Sequence, residues 1–244
     1  MRFGDATTPD GLRLYAIGDV HGCDTMLGEV HHRIAADLAA HPAADHRIIH
    51  IGDYTDRGPD SAAVIERLVK LTASDQRVIC LFGNHDECLL AFLRDPAAVG
   101  PTYLSSDMGG SETLRSYGVA TGGFVINRDY DDLSRKLAER MPAAHCSFIE
   151  KLSLTARFGD YFFCHAGIRP GVGLDDQDPE DLIWIRDEFL LDDRDHGVVV
   201  VHGHTAVAQP ELRTNRINID TGAVFGGWLT CLVLEGNSYR FLGE

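Results

Sequence analysis

The stretch Ile17-Gly18-Asp19-Val20-His21-Gly22 decides the fold, because a polar turn directly follows an apolar strand predicted over Leu12–Ile17. Two later stretches repeat this arrangement. Ile51-Gly52-Asp53-Tyr54-Thr55-Asp56-Arg57-Gly58 ends a second apolar run, and Phe82-Gly83-Asn84-His85-Asp86 ends a third. Each run precedes a segment with helical character, at the spacing of about 30 residues that is typical of a β-α-β unit. The sequence therefore predicts an α/β fold with polar turns at its strand ends.

Two further apolar runs end in histidine-containing turns. These are Cys164-His165-Ala166-Gly167 and His202-Gly203-His204-Thr205. In open α/β sheets the loops at the carboxyl ends of the strands form the binding crevice. We therefore expect all five turns to converge on one edge of the fold.

The rest of the chain alternates between strand-like and helix-like segments. We predict strands at Leu12–Ile17, Arg47–Ile51, Arg77–Phe82, Tyr161–Cys164, Val198–Val201, Arg216–Ile219, Leu229–Leu234 and Ser238–Leu242. We predict helices at Asp24–Ala40, Ser61–Thr72, Glu87–Arg94, Ser111–Tyr117, Asp132–Arg140, Pro142–Lys151 and Pro179–Phe189. Pro96–Gly110 and Gly167–Gly173 are predicted to be surface loops. The close spacing of the later strands favours a mixed sheet, or two sheets packed face to face between helices. No repeat or long linker divides the chain, so we expect one domain over residues 1–244.

Charge and hydropathy restrict the partners. The 244 residues include 22 Lys and Arg against 37 Asp and Glu, a net charge of −15. Such a chain repels nucleic acid and anionic membranes, so neither is an expected partner. The longest apolar runs fall well short of the roughly 20 residues that span a bilayer, and the N-terminus has no signal-peptide pattern. We expect a cytoplasmic protein whose six scattered cysteines are reduced thiols.

The five turns supply the donors of a metal centre. Carboxylates brought this close cannot all stay ionised without cations between them. Mixed oxygen and nitrogen donors suit manganese, iron or zinc better than calcium. Two ions about 3.5–4 Å apart need a bridging carboxylate, and Asp53 occupies the middle one of three adjacent turns. Arg57 and Arg186 are suited to forked hydrogen bonds with phosphate, so the pattern indicates metal-assisted phosphoryl hydrolysis.

Each motif alone has a simpler explanation. A Gly-Asp turn is common, Asp56 and Arg57 fit an exposed ion pair of little energetic value, and a single His165 after a strand fits a hydrogen-bonded core histidine. The conjunction of five such turns in order favours a functional site. His50 and His202 are still predicted to be structural, and Asp220 to lie near the site as a hydrogen-bonding group.

Taken together, these motifs resemble those of a known family. G-D-V-H-G, G-D-Y-T-D-R-G and G-N-H-D, with the later His165 and G-H-T, look like the phosphoprotein phosphatase type of calcineurin-like metallophosphoesterase. The resemblance covers most of the chain and extends to Trp184-Ile185-Arg186 and Ile219-Asp220-Thr221-Gly222-Ala223. It implies a central β-sandwich flanked by helices, with a dinuclear metal site at one edge.

The resemblance also implies a ligand set for two divalent ions, of which manganese is the first expectation and iron or zinc the alternatives. The first ion takes Asp19, His21 and Asp53. The second takes Asp53, Asn84, His165 and His204, so that Asp53 bridges the two.

Catalytic roles follow from the same resemblance. His85 protonates the leaving oxygen, and Asp56 orients His85 and keeps it cationic. Arg57 and Arg186, together with Asn84 and His85, hold the phosphate. A hydroxide that bridges the metals attacks phosphorus in line, so no serine or cysteine nucleophile is expected.

Substrate signals point in two directions. Asp56-Arg57 resembles serine/threonine protein phosphatases, whereas G-N-H-D and Gly226-Gly227-Trp228-Leu229-Thr230 resemble symmetrical bis(5′-nucleosyl)-tetraphosphatases. On the sequence we favour a phosphomonoesterase of the serine/threonine type, acting on a phosphoprotein or a phosphorylated small molecule. A symmetrical diadenosine tetraphosphate hydrolase, a phosphodiesterase or nuclease, and a catalytically silent metal-binding interaction module are the alternatives.

Overall fold

Ten strands and nine helices are present in the computed structural model, which describes residues 1–121 and 129–243. The strands are β1 Leu12–Ile17, β2 Asp45–His50, β3 Val78–Cys80, β4 Thr155–Phe158, β5 Tyr161–Cys164, β6 Val199–His202, β7 Glu211–Leu212, β8 Arg216–Asn218, β9 Cys231–Glu235 and β10 Ser238–Phe241. The helices are α1 Asp24–Ala40, α2 Ser61–Ser74, α3 Asn84–Arg94, α4 Pro96–Tyr103, α5 Gly110–Ser116, α6 Tyr130–Arg140, α7 Ala143–Glu150, α8 Pro179–Trp184 and α9 Asp187–Leu190.

The strands form two five-stranded mixed sheets. The first has the order β10-β9-β1-β2-β3, with β1, β2 and β3 parallel and β9 antiparallel to β1. The second has the order β4-β5-β6-β8-β7, with β5, β6 and β8 parallel. The carboxyl ends of β1, β2 and β3 therefore share one edge, as do those of β5 and β6 in the second sheet.

Alternating side chains along each strand build the layers. In β1, Leu14 and Ala16 pack into the core between the sheets, where they meet side chains such as Phe163 and Val201 from the second sheet. Tyr15 and Ile17 belong instead to the core that the first sheet shares with α1 and α2. A third core covers the outer face of the second sheet with α8 and α9. The helix–sheet–sheet–helix order confirms the predicted β-sandwich flanked by helices.

One loop prediction and two helix predictions need correction. Pro96–Gly110 is not a loop throughout, because Asp95 caps α4 by accepting a hydrogen bond from Ala98 N (3.2 Å) and Pro96 fits the first turn. The predicted helix Pro179–Phe189 is two helices, interrupted where Arg186 adopts φ −129° and ψ −103°. Helix α3 begins at Asn84 rather than Glu87, which brings the third polar turn into its first turn.

Two strands were not predicted. β4 is half exposed and its sequence Thr-Ala-Arg-Phe shows little alternation of hydropathy, while β7 has only two residues. Both lie at the edges of the second sheet, where burial imposes the weakest pattern. All six cysteines are free, as expected. None of the helices among the described residues has the length and apolar character needed to cross a membrane.

A buried charge network fastens α1 to strands β1 and β10 of the first sheet. The Asp37 carboxylate accepts hydrogen bonds from Tyr15 Oη (2.6 Å), Arg13 Nη1 (3.4 Å) and Arg240 Nη2 (2.6 Å), and its side chain is 8% exposed. Burial alone raises the pKa of Asp37, but the hydrogen bonds from Tyr15 and Arg240 outweigh it and hold the pKa below 3.8.

We expect Asp37→Asn to lower the free energy of unfolding by about 2 kcal/mol at pH 7, the usual value for hydrogen bonds to a charged group. Because the folded-state pKa is depressed, this contribution is complete above the ordinary aspartate value and is lost as pH falls through the folded value. Urea titrations of both proteins at a series of pH values measure it. A difference between them that stays constant down to pH 2.5 contradicts the assignment.

Candidate active site

The polar turns meet at the shared edge of the two sheets, as predicted. Val20 N and His21 N of the first turn both donate to Asp53 O of the second, at 3.1 and 2.8 Å. Across the sandwich, His204 N donates to Asp19 Oδ2 at 3.0 Å. Backbone groups therefore lock turns from both sheets into one cluster.

Glycine at two turns makes this approach possible. A Cβ on Gly203 would overlap Asp19 Oδ1, and a Cβ on Gly83 would overlap Asp53 Oδ1. The glycine that precedes His204 and the one that precedes Asn84 are therefore spacers for the carboxylates of other turns.

Backbone strain is concentrated at the same place. In the described part of the chain, the non-glycine residues with positive φ are His21 (42°), Asp53 (54°), Asp56 (72°), Arg57 (66°) and His204 (67°). Each such residue costs about 1–2 kcal/mol relative to an ordinary conformation. All five were predicted from sequence to be site residues, so the strain coincides with the candidate active site.

Asp53 occupies the centre of the cluster and is 2% exposed. Its Oδ2 lies 3.4 Å from His21 Nε2, and its Oδ1 lies 3.4 Å from His165 Nε2 and accepts a hydrogen bond from His85 N at 3.0 Å. Two groups of potential ligand atoms share this carboxylate. One group is His21, Asp53 and His85, the other is Asp53, His165 and His204, and the atoms in each lie within 4.8 Å of one another.

The imidazoles are oriented by the backbone. His21 Nδ1 lies 2.9 Å from Thr55 O, and His165 Nδ1 lies 2.9 Å from Ile51 O. A carbonyl at Nδ1 fixes the tautomer in which Nε2 carries the free lone pair, as in histidine ligands of metals. Asn84 Oδ1 lies 3.0 Å from His165 Nε2 and 2.8 Å from His204 Nδ1. The amide oxygen of Asn84 therefore faces two imidazoles, a grouping of oxygen and nitrogen atoms that suits a metal ion.

Two orphaned atoms support a cation at this place. Among the described residues, the buried side-chain atoms without a hydrogen-bond partner are Asp19 Oδ1 and His204 Nε2. Buried polar atoms are almost always paired, and both of these are potential metal ligands. These oxygen and nitrogen atoms, two of which have no hydrogen-bond partner, fit divalent ions that accept both kinds of ligand.

The shifted pKa values of the site residues also favour cations at this place. Burial lowers the pKa of His21 to about 3 and that of His204 to about 2, so both are neutral and able to ligate. Burial, with the neighbouring charges of Asp220 and Asp53, raises the pKa of Asp19 well above its usual range. Burial opposes a charge on His165, but the carboxylate of Asp53 outweighs it and raises the pKa of His165 to about 9. Bound cations would stabilise the buried carboxylates while the imidazoles stay neutral.

A second buried pair stands beside the donors. His85 Nδ1 lies 2.9 Å from Asp56 Oδ2, and both side chains are buried. Asp56 Oδ1 accepts hydrogen bonds from Tyr103 Oη (2.8 Å) and Thr113 Oγ1 (2.7 Å). Tyr103 and Thr113, contributed by α4 and α5, therefore fix the carboxylate that orients His85.

The two predicted arginines stand at the more open side of the cluster. Arg57 Nη1 lies 2.7 Å from His21 Nε2, and its guanidinium carbon lies 5.4 Å from the centre of the Phe225 ring. Arg186 is exposed and donates to Thr205 Oγ1 at 3.0 Å, next to His204. One guanidinium therefore lies beside His21 and the other beside Thr205.

Sequence reasoning did not assign Asp86 a role. Its carboxylate accepts hydrogen bonds from Asp53 N (3.0 Å), Gly83 N (3.2 Å) and Tyr54 N (3.1 Å), so it holds two of the polar turns against each other. Asp86 is the last residue of the G-N-H-D motif, so the sequence did contain a signal for this residue. Tyr103 and Thr113 were missed because no local pattern connects them to Asp56.

The remaining predictions concern three residues beside the donors. His50 is buried against His31 and Cys80, and His202 is buried beside Arg216, so neither contacts the donors. Asp220 accepts a hydrogen bond from Gly222 N at 3.0 Å, and burial raises its pKa. His50 and His202 agree with their predicted structural roles, and Asp220 lies near enough for its charge to act on Asp19, as expected of a group near the site.

Comparison with known proteins agrees with this geometry. The family model described as calcineurin-like phosphoesterase matches residues 12–227. A bis(5′-nucleosyl)-tetraphosphatase of the asymmetrical kind, PrpE of Bacillus thuringiensis, is 28% identical, with 88% of each chain covered. A structure described as a candidate diadenosine tetraphosphatase superposes with a TM-score of 0.65 at 21% identity, covering 97% of each chain. A mutant of a cold-active protein tyrosine phosphatase gives a TM-score of 0.58 at 16% identity, covering 98% of this chain and 84% of its own. This chain belongs to the calcineurin-like phosphoesterase family and is a metal-dependent phosphoester hydrolase.

Proposed function

We propose that the chain hydrolyses dinucleoside polyphosphates, with bis(5′-nucleosyl) tetraphosphates as the substrate class. The observation that carries this proposal is the relative named as an asymmetrical bis(5′-nucleosyl)-tetraphosphatase, which matches over nearly the whole of both chains. G-N-H-D and the segment 226–230 support it from the sequence. This moves the preference away from the serine/threonine phosphatase that the sequence favoured, and toward the asymmetrical cut rather than the symmetrical one.

The proposed ligands form two sets that share one carboxylate. Asp53 joins Asp19 and His21 in one set, and Asn84, His165 and His204 in the other. Manganese is the ion we propose. Bound divalent ions supply Lewis acidity, which stabilises charge on the phosphoryl group and makes water a better nucleophile at neutral pH.

His85 is proposed as the general acid. Its Nδ1 lies against Asp56, so Nε2 is the atom that gives a proton to the leaving oxygen, and Asp56 stabilises the imidazolium. Arg57 and Arg186 bind the phosphoryl oxygens and orient the polyphosphate chain. A nucleotide leaving group is a weak base and needs this proton less than an alkoxide does.

We expect manganese-loaded protein to prefer diadenosine tetraphosphate over a phosphoserine peptide by about 100-fold in kcat/KM, which corresponds to about 2.7 kcal/mol of transition-state discrimination. Chromatography of the products should give AMP and ATP in equal amounts. Two molecules of ADP indicate the symmetrical cut instead. The reverse preference replaces the proposal with a protein phosphatase, and inactivity on both substrates with metal bound indicates a silent binding module.

Asp53→Asn should abolish metal binding together with activity, because the amide lacks the charge that a bridging ligand needs. Metal analysis after dialysis against limiting manganese measures the occupancy. Asp131→Asn, at an exposed position on α6, makes the same charge change away from the site and should bind metal normally. An occupancy of Asp53→Asn that equals that of this control contradicts the bridging role.

Tyr103→Phe should lower kcat on an alkyl phosphate about tenfold, because it removes a hydrogen bond of about 1.4 kcal/mol to the Asp56 carboxylate. Thr113→Val should lower it at least as much, because the Thr113 hydroxyl also accepts a hydrogen bond from Asp56 N. The loss should be smaller on an aryl phosphate, whose leaving group needs less protonation. Tyr161→Phe is the matched control, because it removes a buried hydroxyl whose hydrogen bond among the described residues goes to Ala6 O, away from the site. Equal losses on the two substrates indicate that these residues do not act through His85.

A further inference from the structure

The segment Gly222–Trp228, called here the aromatic loop, presents two large rings to solvent beside the site. Phe225 is 68% exposed and Trp228 is 40% exposed. The loop follows Asp220 and Thr221, which are buried at the edge of the metal centre. Among the described residues, neither ring belongs to any of the three hydrophobic cores.

The aromatic loop is held firmly by its own hydrogen bonds. Gly222 N donates to Asp220 Oδ1 (3.0 Å), Phe225 N to Gly222 O (2.8 Å) and Gly227 N to Gly222 O (3.1 Å). Thr221 Oγ1 donates to Trp228 O at 2.6 Å. The exposure of Phe225 is therefore a feature of a built turn, and it costs no further ordering when a ligand binds.

Phe225 is connected to the reaction site through Arg57. The guanidinium carbon of Arg57 lies over the ring at 5.4 Å from its centre, and the same guanidinium lies 2.7 Å from His21 Nε2. Since Arg57 covers one face and most of the ring is exposed, the opposite face is open to solvent. A planar group that binds on this open face would form a three-layer stack with the Phe225 ring and the Arg57 guanidinium.

We propose that Phe225 is the nucleobase subsite: a base of the substrate stacks on its open face while the adjoining phosphate chain is held at Arg57. This deepens the proposed function, on which it rests, by naming the residue that recognises a nucleoside. Base–aromatic stacking tolerates any base, so the subsite recognises nucleosides as a class rather than adenine alone.

Distance favours a nucleobase over the ring of a phosphotyrosine. A group stacked on the open face at van der Waals separation lies roughly 9 Å from the Arg57 guanidinium carbon. A ring bonded directly to the phosphoryl oxygen is the shorter extension from a phosphate held by Arg57. A base is separated from its phosphate by a ribose and extends further, so it matches this distance better.

Calorimetric binding of three product-like probes to manganese-loaded protein tests the subsite. AMP carries a base, ribose 5-phosphate has the same sugar and phosphate without one, and phenyl phosphate carries a ring directly on the phosphate. We expect Phe225→Ala to weaken AMP about tenfold, the size of one lost stacking contact, and to leave the other two within twofold. Phe225→Trp should restore AMP binding.

Tyr239→Ala is the matched control. Tyr239 is also an exposed aromatic residue, at 46%, but it lies on β10 against Phe3, and its truncation should change no probe. The subsite is overturned if AMP and ribose 5-phosphate weaken equally, since Phe225 then only supports Arg57. It is also overturned if AMP binds wild-type protein no better than ribose 5-phosphate, or if phenyl phosphate weakens as much as AMP.

These outcomes are separate from the fate of the proposed function. If AMP binding depends on its base and on Phe225 but the protein does not hydrolyse diadenosine tetraphosphate, the subsite stands and that substrate is rejected. Hydrolysis of diadenosine tetraphosphate by Phe225→Ala with an unchanged KM keeps the function and rejects the subsite.

Discussion

The burial of the Asp53 carboxylate is the constraint on which the rest of the site depends. A buried anion needs compensation, and Asp53 receives it from His85 N and from imidazoles on both sides. Asp86 fixes its backbone, and the absence of a side chain at Gly83 leaves room for its oxygen. Potential ligand atoms from both sheets therefore converge on this one carboxylate.

The sandwich architecture follows the same constraint. Asp53 and Asn84 come from the first sheet, while His165 and His204 come from the second, and the donors meet where the carboxyl ends of both sheets coincide. Neither sheet alone holds a complete set of donors. The contact between Asp19 and His204 N shows that the site also fastens the sheets together, so that the fold and the metal centre support each other.

The features that could be predicted from the sequence are those that a short stretch of residues encodes. Glycine beside aspartate, asparagine or histidine at the end of an apolar run is a pattern that can be recognised without coordinates, and the polar residues of the five turns were found in this way. The pairing of Asp56 with His85 and the division of the ligands between two ions came instead from the family resemblance. Tyr103 and Thr113 were not found, because they lie 47 and 57 residues from the carboxylate they contact and only tertiary packing brings them to it. The break at Arg186 was missed for a related reason, since the helical pattern continues across it while the backbone turns.

The five strained residues limit how stable the native state can be. The left-handed backbone at His21, Asp53, Asp56, Arg57 and His204 costs less for glycine, but glycine would also remove the side chains that make the contacts of the site. The chain therefore accepts an unfavourable backbone conformation at five places in its described part in order to hold these side chains in position. The part of the fold that carries the candidate chemistry is also the part whose backbone contributes least to stability, so stability and activity compete at the same residues.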